Sequence, residues 1–340
     1  TGVVCGVRVE DIEDGTMRID NVTIRDTHPA GFLPVAQILA QSSNICSAKI
    51  GLGVGPERLY EGFRRFGFGQ RTGTPVAGES AGTLRPQGRG WVQVETAAAS
   101  FGQGISVTNL QMGMATAAIA NGGELMEPIL IRRVTTATGE VVREASPRGR
   151  RRVVSPQVAA LLTEMLIAVT EDGGTGIEAA IDGHRVAGKT ATAQKADPRN
   201  GRYSLDDYVA SFVGFVPAHD PVVAISVTLD EPRVDHAGGS VAAPIFREVA
   251  EMVLRSRGIT PRGTDKVDMR ELARRADPAR TTHAVLASTM PTESGIQEIV
   301  VGGEPGEGQV RVPDLTGVPM RSATRQIIDL GGVPRVVGTG

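Results

Sequence analysis

Lysine is nearly absent from this chain: of 36 basic residues only Lys49, Lys189, Lys195 and Lys266 are not arginine. Cysteine is equally scarce. Cys5 and Cys46 fit no metal-ligand spacing, and the five histidines are scattered without an H-E-x-x-H, so nothing in the sequence implies a metal or cofactor site. A single Cys5–Cys46 bridge stays open, because sequence does not give its geometry. A basic excess is also missing. With a net charge of -2 and a pI near 6.2, no nucleic-acid partner is expected, and Arg148, Arg150, Arg151 and Arg152 read as one solvated loop. No apolar run is long enough to span a bilayer.

Against that background Lys189 stands out, in Val186-Ala187-Gly188-Lys189-Thr190-Ala191-Thr192-Ala193-Gln194. Arginine stays charged at any working pH, whereas lysine can exchange a proton or offer a compact charge to an anion. A solvated lysine on a surface strand is the plain alternative. Gly183 to Thr190 also fits the phosphate-loop pattern G-x-x-x-x-G-K-T, with Val222 to Glu231 as an apolar strand ending in an acid. A phosphate loop needs a buried strand before the glycines and a helix after the Lys-Thr. Residues 173–182 lack a β-branched run, and Asp197-Pro198-Arg199-Asn200-Gly201 breaks the chain soon after Thr190. The patterns over 185–194, 208–216 and 222–229 predict instead three strands joined by turns in an antiparallel meander. Lys189 and Ala191 then face one way, Thr190 and Thr192 the other.

A second group is Ser42-Ser43-Asn44, between the apolar-periodic stretches Leu33 to Ala40 and Ile45 to Leu52. Pro34 suits a helix start, so two helices are expected to meet at this corner. Alone it reads as an ordinary helix cap. Paired with a Lys-Thr strand further along the chain, it matches the S-D-N and K-T-G pairing of penicillin-binding proteins and class A β-lactamases. The chain resembles the transpeptidase domain of class B penicillin-binding proteins from about residue 5 to 256. The resemblance is carried by Ile24-Arg25-Asp26-Thr27-His28-Pro29, Gln41 to Asn44, Phe66-Gly67-Phe68-Gly69 and Phe101-Gly102-Gln103-Gly104-Ile105-Ser106-Val107-Thr108. It continues through Ala120-Asn121-Gly122-Gly123, Gly174-Thr175-Gly176, Ala187 to Thr190 and Ser211 to Pro217.

That resemblance implies an α/β fold of the penicillin-binding protein/β-lactamase type, an antiparallel sheet flanked by helices. It implies a serine D,D-transpeptidase that cross-links peptidoglycan stem peptides and binds β-lactams. The implied setting is the periplasmic face of the inner membrane, in cell division, with divisome membrane proteins as partners. Ser42 would lie in the proton path, Asn44 would hold the donor peptide, and Lys189 would face the donor's terminal carboxylate. Thr190 and Thr192 would bond that carboxylate, with the Thr192 N–H half of the oxyanion hole. Ala191 stands where the family usually has glycine, so its methyl is expected to alter antibiotic affinity.

The family's nucleophile motif S-x-x-K is missing: Cys46, Val186, Thr192 and Gly263 stand three residues before the lysines. The chain opens on Thr1, and truncation ahead of it is the favoured expectation, leaving this fragment inactive alone; a homologue that lost its nucleophile is the alternative. The transpeptidase unit is expected over 1–256, closing with a helix from Val241 to Arg255 whose buried face is Ile245, Phe246, Val249, Met252 and Val253. A linker over 257–309, with a short helix at Met269 to Arg275, leads to 310–340. This last segment resembles part of a PASTA domain in Val312-Pro313-Asp314-Leu315-Thr316-Gly317, in the amphipathic stretch Ala323 to Leu330 and in the strand expected at Val333 to Val337. A nucleotide-binding protein acting through 183–190, a β-lactam sensor or hydrolase, and a non-catalytic scaffold remain as alternatives.

Overall fold

The computed structural model describes residues 16–27, 33–86, 91–196, 199 and 203–261. Cys5, Lys266, the helix expected at 269–275 and the PASTA-like stretch 310–340 lie outside the described residues. Strands β1 (Thr16–Ile19) and β2 (Val22–Arg25) form a hairpin ahead of helices α1 (Val35–Gln41), α2 (Asn44–Val54), α3 (Pro56–Arg65), α4 (Gln93–Ser100) and α5 (Asn109–Ala120). Next are four short strands, β3 (Glu124–Met126), β4 (Arg133–Thr135), β5 (Val141–Glu144) and β6 (Gly149–Arg152). They pair as two antiparallel ribbons, β3 with β6 and β4 with β5. Then come α6 (Pro156–Ile167), strands β7 (Ala187–Ala196), β8 (Tyr203–Val216) and β9 (Val223–Asp230), and helices α7 (Gly238–Val241) and α8 (Ala243–Ser256).

The meander read from the sequence is the central sheet, antiparallel in the order β7-β8-β9. Lys189 pairs with Val213, Thr190 with Phe212 and Thr192 with Ala210. Alternation sends the two faces to different cores. Ala187 and Phe215 pack with Ile167 and Ala218, with Leu166 of α6 and Ile119 of α5 beside them. Val186, Phe212 and Val216 pack instead with Phe246, Ala250 and Leu254 of α8. The Phe212 and Phe246 rings meet at 4.8 Å between centroids. Each such ring contributes roughly 1.5–3 kcal/mol on burial.

Two expectations are corrected. Helix α8 buries Ala243, Phe246, Ala250 and Leu254, whereas Ile245, Val249 and Met252 are exposed. The stripe of large apolar residues is rotated from the buried face because Ala243 and Ala250, beside Phe246 and Leu254, let the helix approach the sheet closely. Of the arginine run, Arg150, Arg151 and Arg152 lie on strand β6, not in a free loop. Arg151 donates to the carbonyls of Arg64 and Arg65 at the end of α3, Arg150 to Thr72 O and Arg152 to Gly122 O. Burial and the neighbouring Arg150, Arg64 and Arg65 lower the Arg151 pKa.

Candidate active site

Helix α1 ends at Ser42, which adopts the left-handed conformation, φ 56° and ψ 45°. The Ser42 N–H donates to Leu39 O and the Ser43 N–H to Ile38 O, the closing pattern that helices usually complete with glycine. A serine there is strained by its Cβ. The strain is held in place from the other side of the corner. Ser43 caps α2, its buried side chain accepting the Cys46 N–H. The Asp26 carboxylate, just past β2, accepts the Asn44 N–H at 2.6 Å, the Ile45 N–H at 3.0 Å and the Ser43 hydroxyl. The Asn44 amide donates to Arg25 O at 3.0 Å.

This bracing presents the exposed Ser42 hydroxyl to β7. Lys189 Nζ donates to Ser42 Oγ at 2.8 Å, to Thr190 O at 3.0 Å and, at a longer 3.4 Å, to Thr190 Oγ1. No carboxylate pairs with Lys189 among the described residues. Removal of its ammonium from water therefore meets no opposing negative charge, and it lowers the pKa from 10.5 to about 8. Thr190 is buried and shares a 2.7 Å hydrogen bond with the Thr175 hydroxyl. Thr192 accepts the Gly238 N–H at 3.0 Å, and Ala191 is exposed on the strand between them.

Of the residues singled out in the sequence, Ser42, Lys189 and Thr190 come together directly. Thr192 and Ala191 continue along the same strand, and the Asn44 amide turns to β2. The phosphate-loop alternative fails on this geometry. The chain runs on past Thr190 as strand, and the glycine before Lys189 serves packing: a Cβ on Gly188 would stand 2.4 Å from the Phe212 ring. A helix N-terminus that could cradle phosphate is not formed there.

An ammonium without a counter-carboxylate, hydrogen-bonded to a serine on a strained corner, has the chemistry to exchange a proton and to attract an anion. The transpeptidase domain of penicillin binding proteins matches residues 3–251. The chain belongs to this family. Among its relatives, penicillin-binding protein PbpB of Mycolicibacterium smegmatis is 37% identical over 255 residues, covering 72% of this chain and 39% of that protein. A probable peptidoglycan D,D-transpeptidase PenA of Neisseria flavescens is 37% identical over 245 residues, covering 72% of this chain and 58% of that protein. The penicillin-binding protein 3 of Mycobacterium tuberculosis, solved with ampicillin, superposes with a TM-score of 0.69 at 35% identity, over 78% of this chain and 59% of that one. The chain thus spans less than two thirds of the length of these relatives.

Within this penicillin-binding transpeptidase fold, two residues escaped the sequence reading. Asp26 and Thr175 lie inside stretches that carried the resemblance but had no chemistry assigned to them. Neither has a local spacing to Ser42 or Lys189, so only the folded chain shows what they hold. Among the described residues no helix is long and apolar enough to cross a membrane.

Proposed function

We propose that this chain supplies the Ser-Ser-Asn and Lys-Thr walls of a serine D,D-transpeptidase site that cross-links peptidoglycan stem peptides. The observation that carries the reading is the 2.8 Å contact between Lys189 Nζ and Ser42 Oγ, made by residues 147 apart. Acyl transfer to a serine needs a proton taken from the nucleophile and one given to the leaving amine, and the second half-reaction returns both. Ser42, hydrogen-bonded to an amine that titrates near 8, can relay such protons. The Lys189 charge, without a counter-carboxylate and with Thr190 and Thr192 behind it, suits the terminal carboxylate of a D-Ala-D-Ala donor; holding the donor's backbone with Asn44 requires its amide to leave Arg25 O, to which it donates at 3.0 Å.

Solved structures of the M. tuberculosis relative with ampicillin and aztreonam support β-lactams as ligands. The proposed setting is septal synthesis at the periplasmic face of the inner membrane, beside divisome proteins. The proposed unit is 1–256, supported by the family match over 3–251, with 257–309 as linker and 310–340 as the PASTA-like segment.

Fluorescent-penicillin labelling on a gel tests the reading, comparing the 340-residue chain with one extended upstream through an S-x-x-K. The extended chain is expected to label, unlabelled β-lactam to compete, and Ser42→Ala or Lys189→Ala to slow labelling by about 10²–10⁴-fold. If neither chain labels, the domain is a scaffold without acyl-transfer chemistry.

A further inference from the structure

Three elements converge on the site, and Thr175 touches each of them. Its N–H donates to Ala40 O at 3.1 Å, in the last turn of α1 and two residues before Ser42. Its hydroxyl lies 2.7 Å from that of Thr190 on β7, which is itself 3.4 Å from Lys189 Nζ. A Cβ on Gly239 would stand 2.3 Å from Thr175 O, so the first turn of α7 lies directly on the same residue.

The loop that carries Thr175 has no slack. A Cβ on Gly174 would meet Val169 O at 2.2 Å, one on Gly176 would meet the Phe212 ring at 2.9 Å, and the Gly176 N–H is tied to Val169 O at 2.8 Å. Thr175 itself is exposed, so core packing gives no reason for its side chain. Its hydroxyl is distinguished by what it bonds.

We propose that Thr175 is a positioning residue for the Ser42–Lys189 pair, its backbone N–H holding the end of α1 while its side-chain hydroxyl reaches β7 and aligns the Thr190 hydroxyl on Lys189. The inference rests on Ser42 and Lys189 forming one site. The alignment comes from counting protons. A Thr190 oxygen that accepts from the Lys189 ammonium must send its own proton elsewhere, and Thr175 Oγ1 is the acceptor in place. With Lys189 neutral the row reverses, Thr175 donating to Thr190 and Thr190 turning its proton to the amine. Removing the Thr175 oxygen leaves the Thr190 proton competing with the ammonium, which disfavours the charged form.

The scarcity of lysine makes this measurable. In the 340-residue chain carrying ¹³C-labelled lysine, four side chains contribute signals, and Lys189→Arg identifies the one from Lys189. In Thr175→Val the Lys189 titration midpoint is expected to fall by about 0.4–1 pH units, with Thr175→Ser restoring it. An unchanged Lys189 midpoint in folded Thr175→Val overturns the proposal, as does a fall that Thr175→Ser shares. Should Thr175→Val fail to fold, Thr190→Val breaks the same row from its other end and must shift the midpoint; no shift there is equally decisive. The titration needs no acylation, so it stands or falls separately from penicillin labelling.

Discussion

Asp26 Oδ1 accepts the N–H of Asn44 at 2.6 Å, joining the end of a hairpin strand to the first turn of a helix 18 residues later. The same carboxylate takes the Ile45 N–H and the Ser43 hydroxyl, so three donors at the start of α2 end on one side chain. A negative charge there also faces the positive end of the helix dipole. Through this contact the orientation of the Ser-Ser-Asn corner is set by β2 as well as by α1.

Asp26→Ala is accordingly expected to destabilise the chain by about 1–3 kcal/mol, the cost of leaving helix-terminal donors unsatisfied plus a lost charge-assisted bond. Urea unfolding measures it. Hydrogen exchange at Asn44, Ile45 and Cys46 should quicken by more than exchange in α8; a uniform increase would mean that Asp26 acts on global stability and not on the corner.

Lys189 gives stability a pH dependence of definite sign. Its folded pKa, about 8, lies below its ordinary 10.5, so between those values the unfolded chain holds more proton than the folded one. Stability therefore rises with pH across that window, and below pH 8 the charged lysine is a standing cost. Because the side chain is only half-buried, the cost is of order 1–2 kcal/mol after allowance for solvent screening. Lys189→Met should be more stable than the parent at pH 7, with the difference shrinking toward pH 10. A difference that stays constant from pH 7 to 10 would show that the amine is not desolvated.

The meander and the helix-corner-helix were legible because each rests on local pattern: period-two alternation over 185–194 and 208–216, and an apolar helical face ahead of a capping serine. The juxtaposition of Ser42 with Lys189 came from the resemblance, since no periodicity connects residues so far apart. Asp26 and Thr175 stayed hidden because their roles are hydrogen bonds between distant segments. Ser42 in a glycine's conformation was hidden too, because sequence alone does not show which residue closes a helix.

The rotated face of α8 separates size from burial. Phe246 is fully buried against Phe212, while Met252 is 58% exposed. Phe246→Ala should cost about 3–5 kcal/mol and Met252→Ala no more than about 0.5 kcal/mol in the same denaturation experiment. Comparable losses at both positions would restore the face drawn from the sequence.

Gly238 tests whether α7 is seated on the Lys-Thr strand as tightly as the contacts require. A Cβ there would fall 2.3 Å from Ala191 O and 2.4 Å from Ser211 O, both backbone atoms of paired strands that cannot step aside separately. Gly238→Ala must therefore lift the start of α7, breaking the Gly238 N–H bond to Thr192 and unfolding more easily by about 1–3 kcal/mol. Gly62, in the middle of α3 with open space around its would-be Cβ, is the matched contrast, and Gly62→Ala should stabilise by about 0.5–1 kcal/mol through helix propensity. If both alanines behave alike, α7 is not pressed against β7 and β8. Opposite signs, together with slower penicillin labelling in the upstream-extended form of Gly238→Ala alone, would tie that packing to the geometry of Thr192 at the site.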